Sequence, residues 1–163
     1  MSISTDDFRL ALSRFASGVT VVTTKDGKGK LYGITVSAFS SVSLSPPLVL
    51  ICIEKDTGSH YAFIESGIFV VNVLNSEQAQ LSERFASQVI DKFADVAMSL
   101  NIDGIPVLSD TLATLECRVK QVCDGGDHTI FIAEVESSSV RDGDPLVYFR
   151  SDYHHVGGRS AAS

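Results

Sequence analysis

Apolar and polar positions change period several times along the chain, and each change predicts an element. Near the start, Phe8, Leu12 and Phe15, with Ala11 and Ala16, recur at three- and four-residue spacings. That pattern gathers them on one face of a helix. Ser4 or Thr5 caps its start, Asp6 and Asp7 suit the positive end of its dipole, and Gly18 stops it. Strand patterns follow. Residues 19–24 are all Val or Thr, and a turn over 25–29 leads into a strand predicted over 31–43. Pro46-Pro47 interrupts, 48–53 resumes as a buried strand, and 68–74 reads as another. Within 110–123, Ala113, Leu115, Cys117 and Val119 alternate with Thr114, Glu116, Arg118 and Lys120. Such alternation gives one packed and one wet face. Asp124-Gly125-Gly126-Asp127 is a turn, so 128–140 pairs back as a long hairpin, and 146–150 is a last strand. Two further helices are predicted, over 57–65 and over 76–88, the second capped by Ser76 with Leu81 and Phe85 on one face.

Consecutive strands with few helices between them imply a mainly β, antiparallel barrel and not a doubly wound sheet. The dinucleotide fingerprint Gly-x-Gly-x-x-Gly is absent as well. The 163 residues suit one domain over 1–163. Its ordered part is expected over about 8–156, with the small polar tail 157–163 fraying. The strand 128–140 is apolar on both faces over Ile130, Phe131, Ile132 and Ala133. One face fills the barrel and the other needs cover, from a helix or a second subunit; a homodimer is the expectation.

Charge narrows the choice of partners. The formal net charge is −7 and the Lys and Arg residues are scattered, which excludes a basic stripe for nucleic acid. The acidic first residues lack the apolar core of a signal peptide, and the longest apolar run, 48–53, is too short to span a bilayer. The three cysteines, at 52, 117 and 123, form no Cys-x-x-Cys and leave an odd count. Neither a disulfide framework nor a zinc knuckle is indicated, and a cytoplasmic setting is expected. The adjacent His154-His155 would point to opposite faces of a strand and chelate poorly, so no metal is expected. No Gly-x-Ser-x-Gly supports a serine hydrolase.

Three segments carry the candidate chemistry. The first is Gly33-Ile34-Thr35-Val36-Ser37-Ala38-Phe39-Ser40-Ser41-Val42-Ser43, followed by Pro46-Pro47. The second is Cys52-Ile53-Glu54-Lys55-Asp56-Thr57-Gly58-Ser59-His60, where a strand gives way to a helix. The third is Gly126-Asp127-His128, opening a strand that ends Ala133-Glu134-Val135. In order and spacing they resemble the short-chain flavin reductase family, whose fold is an antiparallel Greek-key split barrel with a few short peripheral helices. The resemblance covers roughly 8–156. It departs where the family often has glycine and Ala133 stands.

The resemblance implies a site. Thr35, Val36, Ser37, Ala38, Ser40 and Ser41 would present backbone N–H groups to the hydrogen-bonding edge of a flavin, FMN or FAD. Cys52, Ile53, Lys55, Ser59 and His60 would hold its ribityl chain and phosphate. Arg84 and Phe85 would lie near it, His128 would act in catalysis by holding the nicotinamide of NADH or NADPH, and Tyr153 would cover the nicotinamide side. NADH is favoured, because no Arg pair offers itself to a second phosphate. The implied activity is hydride transfer to a flavin that then serves a flavin-dependent monooxygenase. Plainer readings stand beside these. Asp56 or Thr57 caps a helix, Lys55 is solvated, Phe85 is a core residue and Tyr153 packs. Flavin storage without catalysis and a pyridoxamine-phosphate-oxidase-like enzyme are the alternative functions.

Overall fold

A computed structural model describes residues 2–157; the frayed tail expected over 157–163 falls, from 158 onward, outside the described residues. The elements run α1 (Thr5–Leu12), β1 (Ser17–Gly18), β2 (Thr20–Lys25), β3 (Leu31–Val36), β4 (Phe39–Leu44), β5 (Pro47–Glu54), α2 (His60–Ser66) and β6 (Ile68–Val73). They continue α3 (Ala79–Ala86), β7 (Met98–Leu100), β8 (Pro106–Leu108), β9 (Ala113–Gly125), β10 (His128–Val140), β11 (Val147–Phe149) and β12 (Asp152–His154). The main sheet has seven strands in the order β3-β2-β6-β9-β10-β5-β4, all paired antiparallel. Among the described residues the fold is mainly β with three helices.

The strand predicted over 31–43 is two strands, and the break matters. β3 and β4 are the opposite edges of the sheet. Only Ser37 and Ala38 join them, so three Cα–Cα steps hold Val36 and Phe39 within about 11 Å of each other. The sheet therefore curls until its two edges face, yet no ladder closes them. Sequence pattern could not show this, because no Pro or Gly marks the crossing.

Two apolar clusters fill the interior. One gathers Val22, Ile51, Ile53, Phe63, Phe69, Val71, Phe131 and Ala133 with their neighbours; the other gathers Val19, Val21, Leu74, Phe85, Leu108 and Leu146. β2 lies between them, with Val22 in the first and Val21 in the second, where Val19 just before the strand joins it, which explains the β-branched run over 19–24. Its buried threonines donate hydroxyls to carbonyl oxygens of other strands: Thr20 to Val36 at 2.6 Å, Thr23 to Pro106 at 2.5 Å and Thr24 to Ile68 at 2.7 Å. A buried hydroxyl without such a partner is costly.

The β9–β10 hairpin forms as read. Gly126 takes φ 79° at the first position of a two-residue turn, a conformation that matches strand twist and that glycine adopts freely. Across β10, Thr129, Phe131 and Ala133 face the core, while Ile130 and Ile132 lie half-buried on the other face.

Helix boundaries differ from expectation. α1 is capped by the Ser4 side chain accepting from Asp7 N–H, but it ends at Leu12, short of Gly18. None of its residues is buried, and Phe15 beyond it is 80% exposed. The apolar face read from the sequence exists but is left half or more exposed at Phe8, Leu12 and Phe15. α2 and α3 start late, at His60 and Ala79, after Ser59 and Gln78, neither of which caps through its side chain. The caps expected from Asp56 or Thr57 and from Ser76 do not form. A turn over 54–57 and the local bonding of Asn75 occupy those positions instead.

Candidate functional site

Two cavities flank the crossing between the sheet edges. The larger, about 690 Å³, lies between β3, the turn after β5 and the segment that follows α3. Thr35, Glu54, Thr57 and Ser59 line it, together with residues 86–93. The smaller, about 580 Å³ and mainly apolar, is lined by Ser37, Ala38, Ser40, Leu50 and Cys52 against Leu12, Phe15 and residues 148–151. Thr35 and Glu54 thus line one cavity, and Ser37 and Cys52, each two residues away along the chain, line the other.

Small side chains make the crossing accessible. Ser37 and Ala38 belong to neither strand, so their N–H groups are not committed to a ladder; the Ala38 carbonyl accepts from Cys52 N–H at 3.1 Å and the Ser37 carbonyl from Phe39 N–H at 2.9 Å. Burial pushes the Cys52 thiol up, so it stays neutral beside the apolar cavity. Thr35 donates its hydroxyl to Ser82 O of α3 at 2.6 Å, which fixes β3 against that helix. Gly33 is required by the same packing. A Cβ there would sit 2.5 Å from Phe85 Cε1 and 3.1 Å from Phe93 Cζ.

Several expected contacts are taken up elsewhere. The side chains of Val36, Ile53 and Phe85 are buried in the core. At Val36 and Ile53 the position has only backbone to offer a ligand, and Phe85 packs edge-on against Phe93 at 5.0 Å between centroids. Ser41 is exposed on β4, opposite Val49, and lines neither cavity. His60 shares a 2.8 Å hydrogen bond with the Thr129 hydroxyl. Tyr153 donates to Ser82 Oγ at 2.8 Å and packs on the second core cluster, as a packing tyrosine does.

Lys55 points away from both cavities' hydroxyls. Its ammonium donates to Asp124 at 2.5 Å and to Gly126 O at 2.6 Å, and its N–H donates to Asp127 O at 2.9 Å. The bond and charge of Lys55 hold the Asp124 carboxyl below its usual range. Lys55 therefore straps the β9–β10 turn to the end of β5. The strap sets the position of His128, which is also paired in register with Glu54. Directly paired residues project to the same face, so His128 stands beside the Glu54 wall of the larger cavity. Its Nδ1 lies 2.7 Å from Asp127 Oδ1, and this contact holds the Asp127 carboxyl below its usual range. The imidazole itself is half-exposed.

Sequence reasoning missed the segment after α3. Arg84, expected near the ligand, instead braces this segment by donating to Lys92 O at 2.8 Å and Asp91 O at 3.2 Å. Lys92, half-buried, donates in turn to Phe85 O at 2.8 Å and Gly33 O at 3.4 Å. Tyr32 completes the wall, its hydroxyl held by Tyr61 and by Asp26. No motif marks these residues, because tertiary packing alone brings them to the cavity.

Comparison with known proteins identifies the family of this fold. A family model described as Flavin reductase like domain matches residues 12–157. The reductase component of 4-nitrophenol 4-monooxygenase/4-nitrocatechol 2-monooxygenase from Rhodococcus opacus is 42% identical over 149 residues, covering 91% of this chain and 80% of that protein. FMN reductase (NADH) SmoA from Agrobacterium fabrum is 45% identical over 141 residues, covering 86% and 80%. The solved structure of the NADH:FAD oxidoreductase SgcE6 of Streptomyces globisporus, in complex with NAD and FAD fragments, superposes with a TM-score of 0.89 at 33% identity, covering 96% of this chain and 97% of that one. With the match running through every strand of the main sheet and both cavities, the chain belongs to the flavin reductase like domain family.

Proposed function

We propose that this chain is an NADH-dependent flavin reductase that reduces FMN or FAD and yields the reduced flavin to a flavin-dependent monooxygenase. The observation that carries the reading is the crossing at Ser37 and Ala38, with free N–H groups and a cavity on either side. A flavin is a flat ring with one hydrogen-bonding edge and a polar tail, and a groove of this form suits it. Both cavities lie in the size range of small-molecule sites. The flavin and the nicotinamide supply the hydride chemistry once bound. The chain's own part is to bind, orient and exclude water. Ser37 and Ala38 N–H groups meet the flavin edge, where such donors stabilise negative charge. His128 Nε2, with its ring held by Asp127, meets the nicotinamide amide, and the apolar wall of Leu50, Phe39 and Phe15 keeps water out. The curled sheet is, on this reading, the family's split barrel, and the crossing is its split.

The relatives' names support the monooxygenase partner, since the Rhodococcus opacus protein is itself a reductase component. A second copy of the chain supplies the cover that α1 lacks. Its residues Phe8 and Leu12, with Phe15, are exposed next to the smaller cavity, and Ile130 and Ile132 form a half-buried apolar outer face. Sedimentation equilibrium at micromolar concentration is expected to give twice the 17.5 kDa chain mass. A clean monomer would remove the second copy from the site.

The deciding measurement is NADH oxidation by the purified chain with and without FMN, FAD and riboflavin. Oxidation is expected only when a flavin is added. Tight flavin binding without flavin-dependent NADH oxidation would replace this reading by storage.

A further inference from the structure

We propose that Arg84 is a positioning residue for flavin binding, one that touches neither flavin nor dinucleotide but holds the wall over 87–93 in place around the larger cavity. The inference rests on the flavin-reductase reading above. The wall has little else to hold it. Among the described residues, 88–92 lie in no helix or strand and make no backbone–backbone hydrogen bond. Burial adds little, because Gln88, Val89, Ile90 and Asp91 are all exposed, Ile90 fully so. An irregular segment with few buried contacts opens locally at low cost. Yet this segment forms one side of the cavity.

Arg84 supplies the hold. Its Nε donates to Lys92 O at 2.8 Å and its Nη2 to Asp91 O at 3.2 Å. A planar fork thus grips two successive carbonyls, which a lysine cannot match. The grip comes from a fixed base. The Thr35 hydroxyl ties α3 to β3 through Ser82 O, the Tyr153 hydroxyl ties it to β12 through Ser82 Oγ, and Phe85 is fully buried. Since β3 lines the same cavity, two of its walls are held to one helix. Lys92 and Phe93 brace the segment too, but they line the cavity and are open to ligand contact. Arg84 lines neither cavity, so its effect on a flavin must pass through the wall. A wall already in place spares the ligand the cost of ordering it. Without the fork that cost falls on the flavin, while the crossing at Ser37 and Ala38 is untouched.

The test uses the full chain, unmutated and with Arg84→Met or Arg84→Lys. Kd for FMN is measured by flavin fluorescence, and kcat and KM by steady-state kinetics. The wall itself is followed by thermolysin cleavage before Val89 or Ile90, read by mass spectrometry with and without FMN. Arg84→Met should raise Kd and KM for FMN about tenfold, the size expected for lost hydrogen bonds to a charged group. The kcat at saturating FMN and the KM for NADH should hold. Without FMN the wall should be cut faster than in the unmutated chain, and saturating FMN should restore the slow rate. Arg84→Lys should fall between the two. Faster cleavage with unchanged FMN affinity would leave Arg84 a brace with no part in binding and overturn the inference. Weaker FMN with unchanged cleavage would put Arg84 against the ligand and overturn it as well, as would a loss of kcat at saturating FMN. If Arg84→Met does not fold, Arg84→Lys decides. Cleavage rate and FMN affinity must then shift together, and a shift in one alone refutes the assignment. Failure of the unmutated chain to bind FMN or to oxidise NADH with it would instead sink the functional reading.

Discussion

Replacing Phe85 with alanine is expected to cost about 3–5 kcal/mol of folding stability, the range for emptying a buried aromatic site. A domain of this size has roughly 5–15 kcal/mol in total, so the variant would retain little margin. Each kcal/mol lowers Tm by roughly 2–4 °C at this length, so a fall of about 6–20 °C should appear in a thermal melt. The reason is the environment of the ring. Phe85 is fully buried, packs against Phe93, and occupies the space that Gly33 leaves by lacking a Cβ. Gly33→Ala should itself cost about 1–3 kcal/mol by overpacking. Combined with Phe85→Leu, its cost should shrink, because the smaller side chain makes room, and the two effects would not add. If Phe85→Ala instead left the melt unchanged and abolished FMN binding, the side chain would belong to the flavin and not to the core.

His128→Ala acts on a different quantity. The variant is expected to lose about 1–2 kcal/mol in kcat/KM for NADH, roughly five- to thirtyfold, which is what one hydrogen bond supports. FMN affinity and melting temperature should stay near their original values. The imidazole is half-exposed at the start of β10 and pairs with Asp127 at the surface, so little stability depends on it. If the ring binds ground and transition states equally, KM rises and kcat holds; if it aligns the nicotinamide for transfer, kcat falls too. A large loss of stability would mark it as structural. Weaker FMN with an unchanged NADH response would take it out of the nicotinamide site.

The β9–β10 hairpin was legible because alternation, a Gly-Gly turn and strand composition all point the same way, and they are local. The first helix was legible for the same reason, with Ser4 one of the two caps expected, but its end was not, and its apolar face said only that something must cover it. The split of 31–43 was not legible. Whether Ser37 and Ala38 continue a strand or cross between sheet edges depends on partners far along the chain. Phe85 shows the limit at the site itself. Its helical spacing fitted a core residue and its motif fitted a ligand contact, and only the approach of Gly33 decides between them. The cations were read by type and not by surroundings. Lys55 stood in the expected motif and serves the hairpin, while Lys92 stood in no motif and faces the cavity.

The Lys55 strap has a consequence for how the two ligands communicate. It joins the turn that carries His128 to the end of β5 through a backbone bond, a carbonyl bond and an ion pair. The entropy of ordering that turn is therefore spent during folding, and if His128 holds the nicotinamide as proposed, the dinucleotide would meet a preorganised partner instead of a loop that must settle around it. A flavin arriving first has no disorder left to remove there. Any cooperativity between flavin and NADH must then arise where the two ring systems touch, and by linkage it must be equal in both directions.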